Sequence, residues 1–137
     1  MRLSRDSKVN AIARVPLFCR LSKGELVRIG QLADEVDLPA GKRLTKEGSR
    51  GREFFVLLEG SADVERDGQR IATMRGGDFF GEIALVTDVP RTATVTTISP
   101  VRALVITDRA FRELLRDSPA IQGKVLEAIA SRLAHSL

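Results

Sequence analysis

The stretch between residues 35 and 107 constrains the fold most, because its apolar side chains tend to recur at every second position between turn residues. This period is typical of β-strands that bury one face. We predict strands over residues 35–38, 53–58, 62–66, 69–74, 92–98 and 101–106. Several short strands at this spacing favour a closed antiparallel β-roll or barrel.

One hairpin within this stretch is predicted with particular clarity. Asp67-Gly68 separates two of the predicted strands, and this dipeptide readily adopts the left-handed backbone of a two-residue hairpin turn. The strands over 62–66 and 69–74 should therefore pair with each other.

Helical patterns lie on both sides of the strands. Ser22 to Glu25 forms a capping box, which predicts a helix over residues 23–33 after a shorter one over 7–14. Thr107 or Asp108 can cap a helix to residue 116, and Ser118-Pro119 begins the last one. That last helix carries an apolar stripe, expected to pack on the roll: Ile121, Val125, Ile129, Leu133 and Leu137.

These patterns predict an α+β fold, an antiparallel, jelly-roll-like β-roll flanked by N-terminal and C-terminal helices. We expect one domain over residues 1–137, with helices at 7–34, the roll at 35–107 and helices at 108–137.

Composition excludes several function classes. The net charge is +4, but there is no dense block of Lys and Arg and neither Tyr nor Trp, so we expect no nucleic-acid binding by this chain alone. A single histidine argues against the clustered ligands of a cupin-type metal enzyme, and we expect no metal and no cofactor. The G-x-x-x-x-G-K and G-x-S-x-G motifs are also missing, so we expect no enzyme.

Location is predicted from equally simple features. No apolar run reaches the ~18 residues of a membrane span. Cys19 is the only cysteine, so the chain cannot form an intrachain disulfide. We expect Cys19 to be buried. We therefore expect a cytoplasmic domain.

The segment from Phe79 to Val95 carries the candidate chemistry. Gly81 allows a sharp turn after two aromatic residues, and Glu82 begins one predicted helical turn whose amides could meet an anion. After Pro90, Arg91 offers a guanidinium that can bind two phosphate oxygens. A carboxylate, an arginine and a turn of amides suit a ribose that carries a phosphate.

The segment F-G-E-I-A-L-V-T-D-V-P-R-T-A-T-V closely resembles the phosphate-binding cassette of cyclic-nucleotide-binding domains. That family includes kinase regulatory subunits, nucleotide-gated channels and catabolite-activator-type regulators. Residues 44–60, with Gly48, Gly51 and Gly60, and the entry at residues 77–81 also resemble the family, and the similarity extends over residues 9–137. The resemblance implies a sensor that binds cAMP or cGMP and moves its C-terminal helices in response.

The resemblance assigns roles residue by residue. Arg91 would bind the cyclic phosphate, Glu82 would accept from the ribose 2′-hydroxyl, and Gly81 would let the ribose come close. The other implied contacts are those of the Ile83, Ala84 and Ala93 amides and the Thr92 hydroxyl with the phosphate. For apolar contacts with the base or sugar, our own prediction is Val64, Ile71 and Phe79.

Several alternatives stay open. In kinase-type cassettes a threonine at position 92 is associated with cGMP binding, whereas in channels and bacterial members it is compatible with cAMP; we favour cAMP.

The chain could instead be a ligand-free β-roll that serves as an interaction module, or a regulatory fragment of a larger transcription factor, channel or enzyme. A DNA-binding regulator would need a helix-turn-helix after the last helix, and the chain stops at Leu137. An effector domain or protein is implied but not identified, and a homodimer through the last helix stays open.

Overall fold

A computed structural model describes residues 5–87 and 89–136. These residues form five helices and eight strands. The helices are α1 (Arg5–Ala13), α2 (Lys23–Leu32), α3 (Glu82–Thr87), α4 (Asp108–Asp117) and α5 (Pro119–Ser136). The strands are β1 (Asp34–Leu38), β2 (Arg43–Thr45), β3 (Glu53–Glu59), β4 (Ser61–Arg66), β5 (Gln69–Arg75), β6 (Phe79–Phe80), β7 (Thr94–Thr97) and β8 (Val101–Thr107).

The strands form two antiparallel sheets of four. The first has the order β1-β8-β3-β6 and the second the order β2-β7-β4-β5. Apolar side chains from both sheets meet between them: Phe55, Leu57, Ala62, Val64, Phe80, Val95, Val101 and Ala103. The predicted α+β roll with helices before and after it is confirmed.

Strand β3 is buried on both faces, which explains its unbroken apolar run. Phe55 and Leu57 point between the sheets. Phe54 and Val56 point the other way, into a second cluster with side chains of α1, α2, α4 and α5. The Phe54 ring stacks on Phe111 of α4, with 4.5 Å between the ring centroids. Strands covered on both faces lose the alternation of apolar and polar residues, and here the helices provide the second cover.

The local signals for the hairpin and the capping box are confirmed. Asp67 and Gly68 have φ angles of 54° and 78°, and β4 pairs with β5 across them. The Ser22 hydroxyl accepts from the Glu25 amide at 3.2 Å, and the Glu25 carboxylate accepts from the Ser22 amide at 3.1 Å. Both features are set by residues within three positions of each other in the sequence.

The strand assignment from the sequence needed three corrections. The short strands β2 and β6 were not predicted, because three and two residues are too few to show a period. The strand predicted over 92–98 spans only Thr94–Thr97, since residues 91–93 form the loop beside the cavity described below.

The apolar stripe of α5 is buried only in part. Ile121, Val125 and Ile129 lie in the core, whereas Leu133 is 49% exposed; Leu137 lies outside the described residues. The expectation that Cys19 is buried is wrong. It is exposed in the turn after α1, where its thiol donates to the Pro16 carbonyl at 3.3 Å.

Within residues 5–87 and 89–136, no helix has both the length and the hydropathy to cross a membrane.

Candidate functional site

A cavity of about 410 Å³ opens between the second sheet, the start of α3 and the last turns of α5. The described residues that line it come from six parts of the chain: Thr45, Val64, Arg66, Ile71, Ala72, Met74, Phe80, Gly81, Glu82, Ile83, Arg91, Thr92, Ala93, Val95, Ser131 and Arg132. The volume is in the range of small-molecule sites. The charged side chains in this lining are three arginines and one glutamate.

Arg91 is buried at one end of the cavity, with 7% of its surface exposed. Its guanidinium donates to the carbonyls of Glu53 at 2.7 Å and Gly81 at 3.2 Å. Its own backbone pairs with the turn after β2, through the Gly48 amide and the Ser49 carbonyl. Burial lowers the pKa of Arg91, and the carboxylates of Glu53 and Glu82 oppose that shift. An arginine nevertheless stays cationic at neutral pH. Arg91 can therefore bind an anion that enters the cavity.

Glu82 is completely buried at the first position of α3. One carboxylate oxygen, Oε1, accepts from Arg132 of α5. The other, Oε2, has no hydrogen-bond partner among the described residues. A buried carboxylate oxygen left in this state is costly. Glu82 can therefore accept a hydrogen bond from a hydroxyl group that enters the cavity.

Gly81 lets the chain turn between β6 and α3. Its φ is +99°, which favours glycine. A Cβ at this position would lie 2.7 Å from Nη1 of Arg91 and 2.8 Å from the Glu53 carbonyl oxygen. Both the backbone angle and the space require glycine here.

Arg132 connects the last helix to the cassette. Besides Glu82, its guanidinium donates to the carbonyl of Phe79, and it lies 4.9 Å from the centroid of the Phe79 ring. These contacts join residues about 50 positions apart in the chain. They make α5 one wall of the cavity.

Two further lining side chains were not selected as binding residues by the sequence analysis. Thr45 donates its hydroxyl to the Ala93 carbonyl at 3.0 Å, and Arg66 donates to the Thr92 carbonyl at 2.9 Å. These bonds hold the segment that follows Arg91. Thr45 lies in the stretch over 44–60 that resembles the family, and Arg66 lies in a predicted strand, but only the fold shows that their side chains line the cavity.

The structure gathers most of the predicted binding residues in one place. Those that line the cavity are Val64, Ile71, Gly81, Glu82, Ile83, Arg91, Thr92 and Ala93. The Phe79 ring instead packs toward Phe54, at 5.6 Å between centroids, and does not figure in the lining. Ala84 lies in α3, but its side chain is outside the described set. The ligand contacts of all ten residues remain predictions.

Comparison with known proteins agrees with this geometry. The family model of the cyclic nucleotide-binding domain matches residues 35–118. A cAMP-dependent protein kinase regulatory subunit of Mycosarcoma maydis is 36% identical over 110 residues, which cover 74% of this chain and 21% of that protein. A CRP-like cAMP-activated global transcriptional regulator of Mycobacterium tuberculosis is 30% identical over 127 residues, covering 89% of this chain and 57% of that protein. The chain thus corresponds to a part of these longer relatives.

A solved structure described as Sp-2Cl-cAMPS bound to PKAR CBD2 superimposes with a TM-score of 0.83 at 25% identity. The match covers 96% of this chain and 90% of that one. The chain belongs to the cyclic nucleotide-binding domain family, because the family model covers more than half of its length.

Proposed function

We propose that this member of the cyclic nucleotide-binding domain family binds a cyclic nucleotide reversibly in the cavity between Glu82 and Arg91. One observation carries the proposal: Glu82, whose buried Oε2 has no hydrogen-bond partner in the described residues, and the buried Arg91 are lining residues of the same cavity. A ribose 2′-hydroxyl can donate to Glu82 Oε2, and the cyclic phosphate can accept from Arg91. The amides of Ile83, Ala84 and Ala93 and the Thr92 hydroxyl are proposed as further phosphate contacts.

The rest of the lining suits a base. Apolar side chains of Val64, Ile71, Ala72, Met74 and Val95 face the cavity from the second sheet. A planar base buries its faces well against such side chains. Ile71 is 50% exposed in this structure, so a bound base would cover part of an apolar surface that now meets water.

We propose cAMP rather than cGMP as the ligand. The kinase subunit is named as cAMP-dependent and the regulator as cAMP-activated. The Thr92 hydroxyl is compatible with either base.

The proposed role is regulatory rather than catalytic. Both of those relatives are named as regulators. The chain matches only part of each, so we propose that residues 1–137 form one sensor domain and that an effector domain or protein reads its state. We place it in the cytoplasm, where a single cysteine fits a reducing environment.

Arg132 provides the physical route from ligand to helix. It binds Glu82 through Oε1, while the proposed ligand takes Oε2 of the same carboxylate. A ligand shifts a conformational equilibrium only through its different affinity for the two states. A 2′-hydroxyl that holds the carboxylate in place favours the state in which Arg132 and α5 stay docked against the cassette.

Hydrogen exchange tests this coupling. In the unaltered chain we expect cAMP to slow amide exchange both in residues 81–93 and in α5. In Arg132→Ala we expect slowing in residues 81–93 and little change in α5, because the helix has lost its bond to Glu82. Glu127→Ala, an exposed position on the same helix, is the control. Equal slowing of α5 in both variants would contradict the coupling.

A panel of ligands tests the proposed function itself. Cyclic AMP at 100 times its dissociation constant should stabilise the fold by about 2.7 kcal/mol, which raises the thermal midpoint by several degrees. We expect a smaller shift with cGMP at equal concentration and none with adenosine, which lacks the phosphate. A shift with adenosine equal to that with cAMP would contradict recognition by Arg91. No shift with any nucleotide would favour an interaction module without a ligand.

A further inference from the structure

Gly51 lies against the Arg91 side chain. A Cβ built at Gly51 would lie 2.5 Å from Nε, 2.6 Å from Cζ and 2.9 Å from Cδ of Arg91. Such distances are shorter than van der Waals contact allows, so any side chain at this position collides with the guanidinium.

The backbone at this position does not itself require glycine. The described glycines with positive φ are at positions 41, 48, 60, 68, 77 and 81, and Gly51 is not among them. Its φ therefore lies outside the left-handed region that favours glycine over alanine. Glycine is therefore needed at position 51 because the Arg91 side chain occupies the space that a Cβ would take.

Arg91 lies in a narrow slot whose two sides are glycines. Gly51 approaches Nε, and Gly81 approaches Nη1, where a Cβ would lie at 2.7 Å. The carbonyls of Glu53 and Gly81 accept from the two terminal nitrogens. The slot thus sets both the position and the direction of the guanidinium at the end of the cavity.

We propose that Gly51 is a positioning residue for Arg91, and that its missing side chain lets the guanidinium lie where it can meet the ligand's phosphate. This inference rests on the proposed function of Arg91. The clash with alanine involves the far end of a flexible side chain, so the chain can relieve it by moving Arg91. That movement breaks the bonds to the Glu53 and Gly81 carbonyls and leaves the rest of the roll in place.

The test is a double-mutant cycle on cAMP affinity. We expect Gly51→Ala to weaken binding by about tenfold or more, as for loss of a charge-assisted bond. In the Arg91→Ala background the same change should have less than about a twofold effect, since the side chain it displaces is gone. Gly24→Ala is the control, because a Cβ there meets only the Ser22 hydroxyl at 4.0 Å. Binding by Gly51→Ala within twofold of the unaltered chain, or equal losses in both backgrounds, would overturn the proposal.

Two readouts without ligand keep this test separate from the proposed function. The Nε–H resonance of Arg91, identified by its loss in Arg91→Ala, should shift in Gly51→Ala and stay in place in Gly24→Ala. Any loss of stability in Gly51→Ala should be relieved when Arg91→Ala is added. If the unaltered chain bound no nucleotide, the proposed function would fail, and an unmoved Arg91 resonance would separately refute the role of Gly51.

Discussion

Replacing Arg91 with alanine is expected to weaken cAMP binding by about 100-fold, as measured by calorimetric titration. The guanidinium is buried, two backbone carbonyls hold it, and it faces a cavity whose only described carboxylate belongs to Glu82. Without it, the cyclic phosphate would enter a partly desolvated site that lacks its main counter-charge. We expect Arg91→Lys to weaken cAMP binding less, by about tenfold, because lysine keeps the positive charge but cannot form the bidentate contact of a guanidinium.

Arg52→Ala is the matched control for this result. This substitution also removes one positive charge, but Arg52 is exposed and is not among the residues that line the cavity. We expect a change of less than about twofold, since exposed charges are largely screened. Equal losses from Arg91→Ala and Arg52→Ala would mean that Arg91 acts only through net charge, which would contradict the proposed phosphate contact.

Glu82→Gln is expected to weaken cAMP binding by about 30-fold and to abolish the preference for cAMP over its 2′-deoxy analogue. The unaltered chain should prefer cAMP by about tenfold or more, because the 2′-hydroxyl donates to a buried carboxylate oxygen that otherwise has no partner in the described residues. The amide oxygen of glutamine is a weaker hydrogen-bond acceptor than a carboxylate oxygen. The substitution also removes the negative charge that pairs with Arg132. The measurement is the ratio of the two dissociation constants in each protein.

Glu53→Gln is the control for the carboxylate. Its side chain is exposed, although its charge also acts on Arg91. We expect Glu53→Gln to keep the full preference for the 2′-hydroxyl. If Glu82→Gln discriminated the two ligands as well as Glu53→Gln does, the hydroxyl would bind elsewhere.

Features that depend on neighbouring residues could be predicted from the sequence. The Asp67-Gly68 hairpin and the Ser22 capping box are set by backbone angles and hydrogen bonds within three positions. Gly81, Glu82 and Arg91 were found in the same way, because the cassette is one continuous segment. The order and type of the long elements followed from their periods.

Features that depend on distant residues could not be predicted in this way. Arg132 meets Glu82 from 50 positions away, and Thr45 meets Ala93 from 48. On its helix, Arg132 resembles any solvated arginine until the fold brings α5 to the cavity. Gly51 belongs to the stretch that resembles the family, but the sequence does not show why glycine is needed there, because the atoms that exclude a side chain belong to Arg91.

The most direct test of the proposed binding site is a titration of the isotope-labelled chain with cAMP, followed by amide resonances. We predict one site per chain, with the largest shifts in residues 81–93 and in α5 around Ser131 and Arg132, which line the cavity. Unchanged spectra at millimolar cAMP, or shifts confined to surfaces away from the cavity, would contradict the proposal that Glu82 and Arg91 bind a cyclic nucleotide.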